Sequence, residues 1–211
     1  ELARRSGLKE GLWANYLPLR ERNHWNYLVK PRSGQEFKKR VTLDTVDKQN
    51  DGSLLFCMVE SFLSTSREQW YTIFEGQVLY DTRPLQGKDQ SLHFNPNLPL
   101  HAACSLILYP EAGALSSPVP GTTLVYEGKV RLGQSKAVWY RETFHALGFE
   151  KVTVPAGTFR ALRTQIYTEC SIPEIGPRIE WYVDGVGLVK SVEGVGEHQV
   201  VCELTDYLVE L

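Results

Sequence analysis

Two short segments constrain this chain more than any others: Val152-Thr153-Val154-Pro155-Ala156-Gly157-Thr158-Phe159 and Trp181-Tyr182-Val183-Asp184-Gly185-Val186-Gly187-Leu188-Val189-Lys190. In each, β-branched and aromatic residues are broken by Pro or Gly at the points where an antiparallel sheet must turn or bulge. Pro155 presets a turn φ, Gly157 can take the positive φ that closes the turn, and Thr158-Phe159 restarts the strand, so a hairpin is predicted there. In the second segment, Asp184-Gly185 and Gly187 interrupt a strand that carries Ile179, Trp181 and Val183 on one side and Glu180 and Tyr182 on the other. The predicted structural turns are therefore Pro155, Gly157, Gly185 and Gly187. Both segments specify a sheet, and neither supplies a nucleophile, an acid-base pair or a metal ligand set.

The same period-two pattern runs through most of the chain. Trp25, Tyr27 and Val29 alternate with polar partners. Leu54-Leu55-Phe56-Cys57-Met58-Val59 is an apolar run suited to a strand buried on both faces. Trp70, Thr72 and Phe74 face Val78 and Tyr80 across Glu75-Gly76-Gln77, which reads as a hairpin turn. Leu124, Tyr126, Gly128, Val130 and Leu132 alternate with Glu127, Lys129 and Arg131, followed by Val138, Tyr140, Glu142 and Phe144 as a partner strand. Further strands are expected at 149–154, 159–170, 178–183, 187–193 and 198–207. Between about 83 and 120, prolines accumulate and periodicity is lost apart from Ser105-Leu106-Ile107-Leu108-Tyr109, so long loops are expected there. The predicted fold is all-β and mainly antiparallel: one strongly curved sheet, a half-barrel or open barrel, with no helical crossovers that would make it parallel. A length of 211 residues suits one such domain over 16–211, with an N-terminal extension at 1–15.

Charge and cysteine usage narrow the function. A net charge of -2 with scattered basic residues argues against a nucleic-acid partner, and Lys38-Lys39-Arg40 lies in an alternating strand where outer-face charge is ordinary. No run approaches the roughly 20 apolar residues of a transmembrane helix. The start at Glu1 fits a processed, exported protein. Cys57, Cys104, Cys170 and Cys202 show no C-x-x-C spacing and no adjacent histidine, which disfavours a metal site. Cys170 and Cys202 share the core-facing parity of two late strands, so they could form a disulfide if those strands are neighbours. Alternatively, all four are buried thiols.

Tyr16-Leu17-Pro18-Leu19-Arg20-Glu21-Arg22-Asn23-His24-Trp25-Asn26-Tyr27, together with the two later segments, resembles a group of uncharacterised bacterial exported proteins and lipoproteins. In that group a Y-x-P-L-x-x-G-N-x-W-x-Y start precedes V-x-V-P-A-G-x-F and W-Y-x-x-G-V-G-x-V-K. This chain departs at Arg22, where the group has Gly, which puts the first turn in question. More distantly the group resembles the half-barrels of periplasmic lipoprotein carriers. The resemblance implies an envelope location, in the periplasm or at the outer envelope, and supplies no catalytic residue.

Chemistry-bearing patterns fail one by one. Ser6-Gly7-Leu8-Lys9 matches S-x-x-K by letters but lacks its companion motifs. Asp47-Lys48-Gln49-Asn50-Asp51-Gly52 approaches a calcium loop, yet Met58 holds the position of the bidentate Glu. The five histidines show no ligand spacing, and carboxylates fall mostly on outward parities. No enzyme and no cofactor are expected. Tyr71, Trp139 and Tyr182 fall on the polar parity and form a candidate contact surface. Two functions are consistent with this reading: a non-catalytic interaction module of the cell envelope that meets a protein partner, or a carrier for a lipid or other apolar ligand; a hydrolase with a site assembled only in three dimensions stands third.

Overall fold

In a computed structural model that describes residue 16 and residues 18–50, 54–74, 77–80, 119–131, 137–170 and 177–210, the alternating segments become eleven strands. They are β1 (His24–Pro31), β2 (Phe37–Lys48), β3 (Leu54–Phe62), β4 (Thr65–Phe74), β5 (Gln77–Tyr80), β6 (Thr123–Arg131), β7 (Ala137–Val154), β8 (Gly157–Cys170), β9 (Arg178–Val183), β10 (Gly187–Glu193) and β11 (Val200–Leu208). They form one sheet in the order β5-β4-β3-β2-β1-β11-β10-β9-β8-β7-β6. Every pairing is antiparallel. Two meanders are thus joined where the first strand pairs with the last, and among the described residues the sheet remains open at β5 and β6. The residues expected to form long loops lie outside the described residues up to 118, as do residues 1–15.

Packing shows how strongly the sheet bends. One core cluster joins Leu43 of β2 and Phe56 of β3 to Phe144 and Ala146 of β7, Leu162 and Ile166 of β8 and Tyr182 of β9. From β3 to β8 is six strand spacings, which a flat sheet would spread over about 29 Å. Side chains that far apart cannot touch unless the sheet rolls over its own inner face. Bulges supply the bend, with register shifts at Asn26/Tyr27, Leu43/Thr45, Ala146/Gly148 and Leu188/Lys190. The bulge at Gly148 also corrects the expectation of separate strands at 138–144 and 149–154. A single 18-residue strand, β7, runs through both and absorbs the irregularity at Ala146/Gly148.

The three recurrent sequence segments meet at one end of this curved layer, around a second core cluster that includes Trp25, Tyr27, Val152, Val154, Val186, Val189 and Leu204. The Trp25 indole donates to the carbonyl of Val186 at 2.6 Å, and the Tyr27 hydroxyl donates to that of Leu188 at 2.9 Å. Gly187, at φ +97, lies beneath the Trp25 ring. The β7–β8 hairpin turns through Pro155-Ala156 with Gly157 at φ +144, and the Ala156 amide donates to Leu204 on β11 at 3.0 Å. Buried Asn23 donates to the carbonyls of Pro18 and Glu210 and accepts from the Glu210 amide, clamping the start of the domain to its end. These segments therefore hold the fold together.

Arg22 adopts φ +73, the left-handed region that favours glycine. The turn is kept because the Arg22 amide donates to Leu43 at 2.8 Å and the Leu43 amide returns a bond to Asn23 at 2.8 Å. A left-handed conformation costs a non-glycine residue roughly 1–2 kcal/mol, while glycine gives back about 0.5–1 kcal/mol in chain entropy. Arg22→Gly is expected to stabilise the protein by about 0.5–1 kcal/mol, read as a higher urea midpoint at unchanged slope. A lower midpoint would show that the Arg22 side chain contributes more than the strain costs.

Candidate functional site

Ionisable groups gather on the inner face toward the end of the sheet where β1 finishes and β9 and β11 begin. Register places them: Tyr27 stands opposite Lys39, Val41 opposite Glu60, and Glu60 opposite Arg67. On the other wing Arg178 stands opposite Glu193, and Glu180 opposite Ser191 and Thr164. Directly paired residues in an antiparallel sheet share a face, so these positions form a polar belt across β4, β3, β2, β1, β11, β10 and β9.

The belt is built from two neutralised units. On β9, Arg178 Nε lies 2.7 Å from Glu180 Oε1, and the Tyr182 hydroxyl donates to Glu180 Oε2 at 2.6 Å. The Arg178 and Glu180 side chains are each only 4% exposed. The spacing i, i+2, i+4 on a strand is what brings three such groups onto one face. On the other wing, Glu60 bridges Arg67 through Oε2 and Lys39 through Oε1, the latter at 3.6 Å. The Lys39 ammonium sits 5.4 Å from the centroid of the Tyr27 ring, which extends this unit onto β1.

Burial sets the protonation of the remaining groups. It raises the Tyr27 phenol well above the ordinary value, with the Cys202 sulfur and the Glu60 and Glu180 carboxylates adding to the effect. Burial, reinforced by Glu180, does the same to Tyr182. The buried Cys202 thiol is also pushed up by burial, with Lys39 acting in the opposite direction. Burial alone would lower the Lys39 ammonium, but Glu60 outweighs it and the net shift is upward. The belt thus holds a protonated thiol, two protonated phenols and the Glu60 and Glu180 carboxylates paired with cations. Such groups can donate and accept hydrogen bonds, but none is activated as a nucleophile.

The outer face opposite this belt explains an error of parity. Sequence alternation placed Trp181 on the covered side and Tyr182 on an exposed contact surface. In the fold, Tyr182 is 5% exposed within the first core cluster, while Trp181 faces outward under a charged lattice. The Trp181 indole donates to Glu150 at 2.6 Å, and Arg163 and Lys190 each sit 5.8 Å from its ring. Lys190 and Lys30 clamp Glu203 at 2.7 and 2.9 Å. Burial raises the Glu203 carboxyl, but these two hydrogen bonds outweigh it and hold the group below its ordinary value. The ion pairs and the stems of the basic residues shield the indole, so an aromatic on the convex face is not left to water.

Of the other residues singled out from sequence, Tyr71 lies in β4 opposite Phe56 and Trp139 in β7 opposite Lys129, while their side chains lie outside the described residues. With Tyr182 buried, the three do not form one exposed surface. The Cys170–Cys202 disulfide is also corrected. Cys170 ends β8, Cys202 lies in β11, β9 and β10 stand between them, and Cys202 is a free, buried thiol. Cys57 is likewise a buried thiol outside any disulfide. Gly185 and Gly187 occupy the β9–β10 turn at φ +73 and +97, closed by the Val186 amide donating to Val183. Sequence reading missed Glu60, Lys39, Arg67, Arg178 and Glu180. The signal for the last two was present as Arg178-x-Glu180-x-Tyr182, a cation, its counter-ion and a hydroxyl donor at period two.

No family model and no curated protein matches the chain. Among solved structures it is similar to a Bacteroides fragilis protein named for export and a YmcC-like fold, with 14% identity, a TM-score of 0.52, and coverage of 95% of this chain and 100% of that one. A Parabacteroides distasonis protein named as a lipoprotein matches with the same identity, coverage and TM-score. The fold is shared with both.

Proposed function

We propose that the chain is a non-catalytic extracytoplasmic interaction module, an accessory subunit of a bacterial cell-envelope assembly. One observation carries this reading: the concave side is occupied by the protein's own side chains. Leu43 and Phe56 from one wing meet Phe144 and Leu162 from the other, all fully buried. An apolar ligand held in the half-barrel would need the space these four fill. An open groove of about 880 Å3 is lined by Glu36, Lys38, Arg40 and Asp206 beside Phe37 and Phe62. The names of the two fold neighbours, one an exported protein and one a lipoprotein, support the extracytoplasmic location. The inner belt supports the non-catalytic role, since Glu60 and Glu180 are paired with cations and its thiol and phenols are held protonated.

Native mass spectrometry of the protein purified from its own host tests the proposal. A complex with a second protein is the expected result. A retained lipid with no protein partner would replace the module reading with that of a carrier.

A further inference from the structure

We propose that the β6 edge joins a second copy of this chain in antiparallel register centred on Gly128, extending the sheet across a two-fold axis. Among the described residues, β6 pairs on one side only, with β7, and it ends the sheet. Its nine residues present backbone donors and acceptors along an open edge, whereas the opposite edge, β5, has only four.

The case for a second copy rests on the order of charges in Thr123-Leu124-Val125-Tyr126-Glu127-Gly128-Lys129-Val130-Arg131. Directly opposed residues in an antiparallel pair share a face, so a self-pairing that keeps inner and outer faces aligned must be centred on a residue. Centred on Glu127, it sets Glu127 against itself. Centred on Lys129, it sets Lys129 against itself, and centred on Val130 it opposes Lys129 with Arg131. Centred on Gly128, it pairs Glu127 with Lys129 twice across the axis and Tyr126 with Val130, and it puts the residue without a side chain at the axis itself. Lysine at a sheet edge ordinarily discourages pairing; alternated with glutamate about a central glycine, it favours the Gly128-centred register over those centred on Glu127, Lys129 or Val130 and makes it the one that gains two ion pairs.

Exposed apolar residues lie beside this edge. Val125 and Tyr167 stand in one cross-strand row through Thr143, at 46% and 42% exposure, and Leu147 is 46% exposed nearby in β7. Such residues on the outer face next to an open strand fit an interface. The inference does not depend on the envelope-module reading, because it concerns the purified chain alone.

The test is sedimentation equilibrium of the full chain over a concentration series, with circular dichroism confirming the fold of each variant. The wild type is expected to dimerise. Lys129→Glu and Glu127→Lys should each weaken the dimer by about tenfold or more, since each change turns both axial pairs repulsive. An equimolar mixture of the two variants, and the double variant Glu127→Lys/Lys129→Glu, should recover association to within about threefold of wild type. A chain that stays monomeric at every concentration, or a dimer indifferent to the single reversals, would overturn the proposal. Capture of a strand from a different protein by a chain monomeric in isolation would do the same and assign the edge to that partner. If the module reading fails through a retained lipid while the charge reversals behave as described, this proposal stands.

Discussion

Glu180→Ala is expected to destabilise the fold by about 3–5 kcal/mol, because it removes the buried carboxylate that sits 2.7 Å from the Arg178 guanidinium. Arg178 and Glu180 are almost fully enclosed on the inner face of β9, and the same substitution strips the Tyr182 hydroxyl of its acceptor. Breaking a pair and removing it are different operations, however. The desolvation of both ions opposes the attraction between them, so replacing both with apolar residues of similar volume is often neutral or stabilising. The double variant Arg178→Met/Glu180→Leu should therefore recover most of the loss. Urea denaturation at constant slope measures both. A Glu180→Ala cost below about 1 kcal/mol, of the size found for surface ion pairs, would show that solvent reaches the pair and that no buried belt exists.

Stability is expected to collapse in alkali. Tyr27, Tyr182, Cys202 and Lys39 all have values raised by folding, so each binds its proton more tightly in the folded chain than in the unfolded one. Where the folded state holds more protons, stability falls as pH rises. The contribution of these groups is complete below about pH 9, the ordinary value of the cysteine. It is lost progressively as pH climbs through the ordinary tyrosine and lysine values near 10 toward the raised values of the folded state. Ionising either phenol inside the fold would place an anion beside Glu180 with no new cation to meet it, which adds repulsion to desolvation. Melting temperatures measured from about pH 8 to 11 should fall steeply above about 9, and Tyr182→Phe, which cannot ionise, should show a shallower fall. A flat profile across this range would mean that the four groups reach water.

The legible features of this protein are those that nearest neighbours decide. Pro155-Ala156-Gly157 turns wherever it stands, because φ at Pro is preset and Gly accepts the left-handed region, and the hairpin is found there. The antiparallel class was legible for the same reason, since alternation with Gly and Pro every ten or so residues leaves no helix to cross over. Even the departure at Arg22 was visible as a mismatch, although only the fold shows that the turn is retained with a non-glycine residue in a conformation suited to glycine.

Which face of a strand is covered was not legible at β9, where both parities carry bulky side chains. Hydropathy favours Ile179, Trp181 and Val183, but the enclosed row is Arg178, Glu180 and Tyr182. The physical reason is that burial of a charge depends on a partner, and Arg178 and Glu180 partner each other two positions apart while Glu150, Arg163 and Lys190 cover Trp181 from three other strands. The paired cysteines failed for a related reason: shared parity is a local property, whereas adjacency of β8 and β11 depends on the order of strands across the sheet. Sequence alone determined that this chain makes strands, where it turns, and that the layer is antiparallel, because those depend on single residues and their immediate neighbours. Tertiary structure decided which residues the curled sheet encloses and which ions it brings together, because bulges and strand order set contacts between segments as far apart in sequence as Trp25 and Val186.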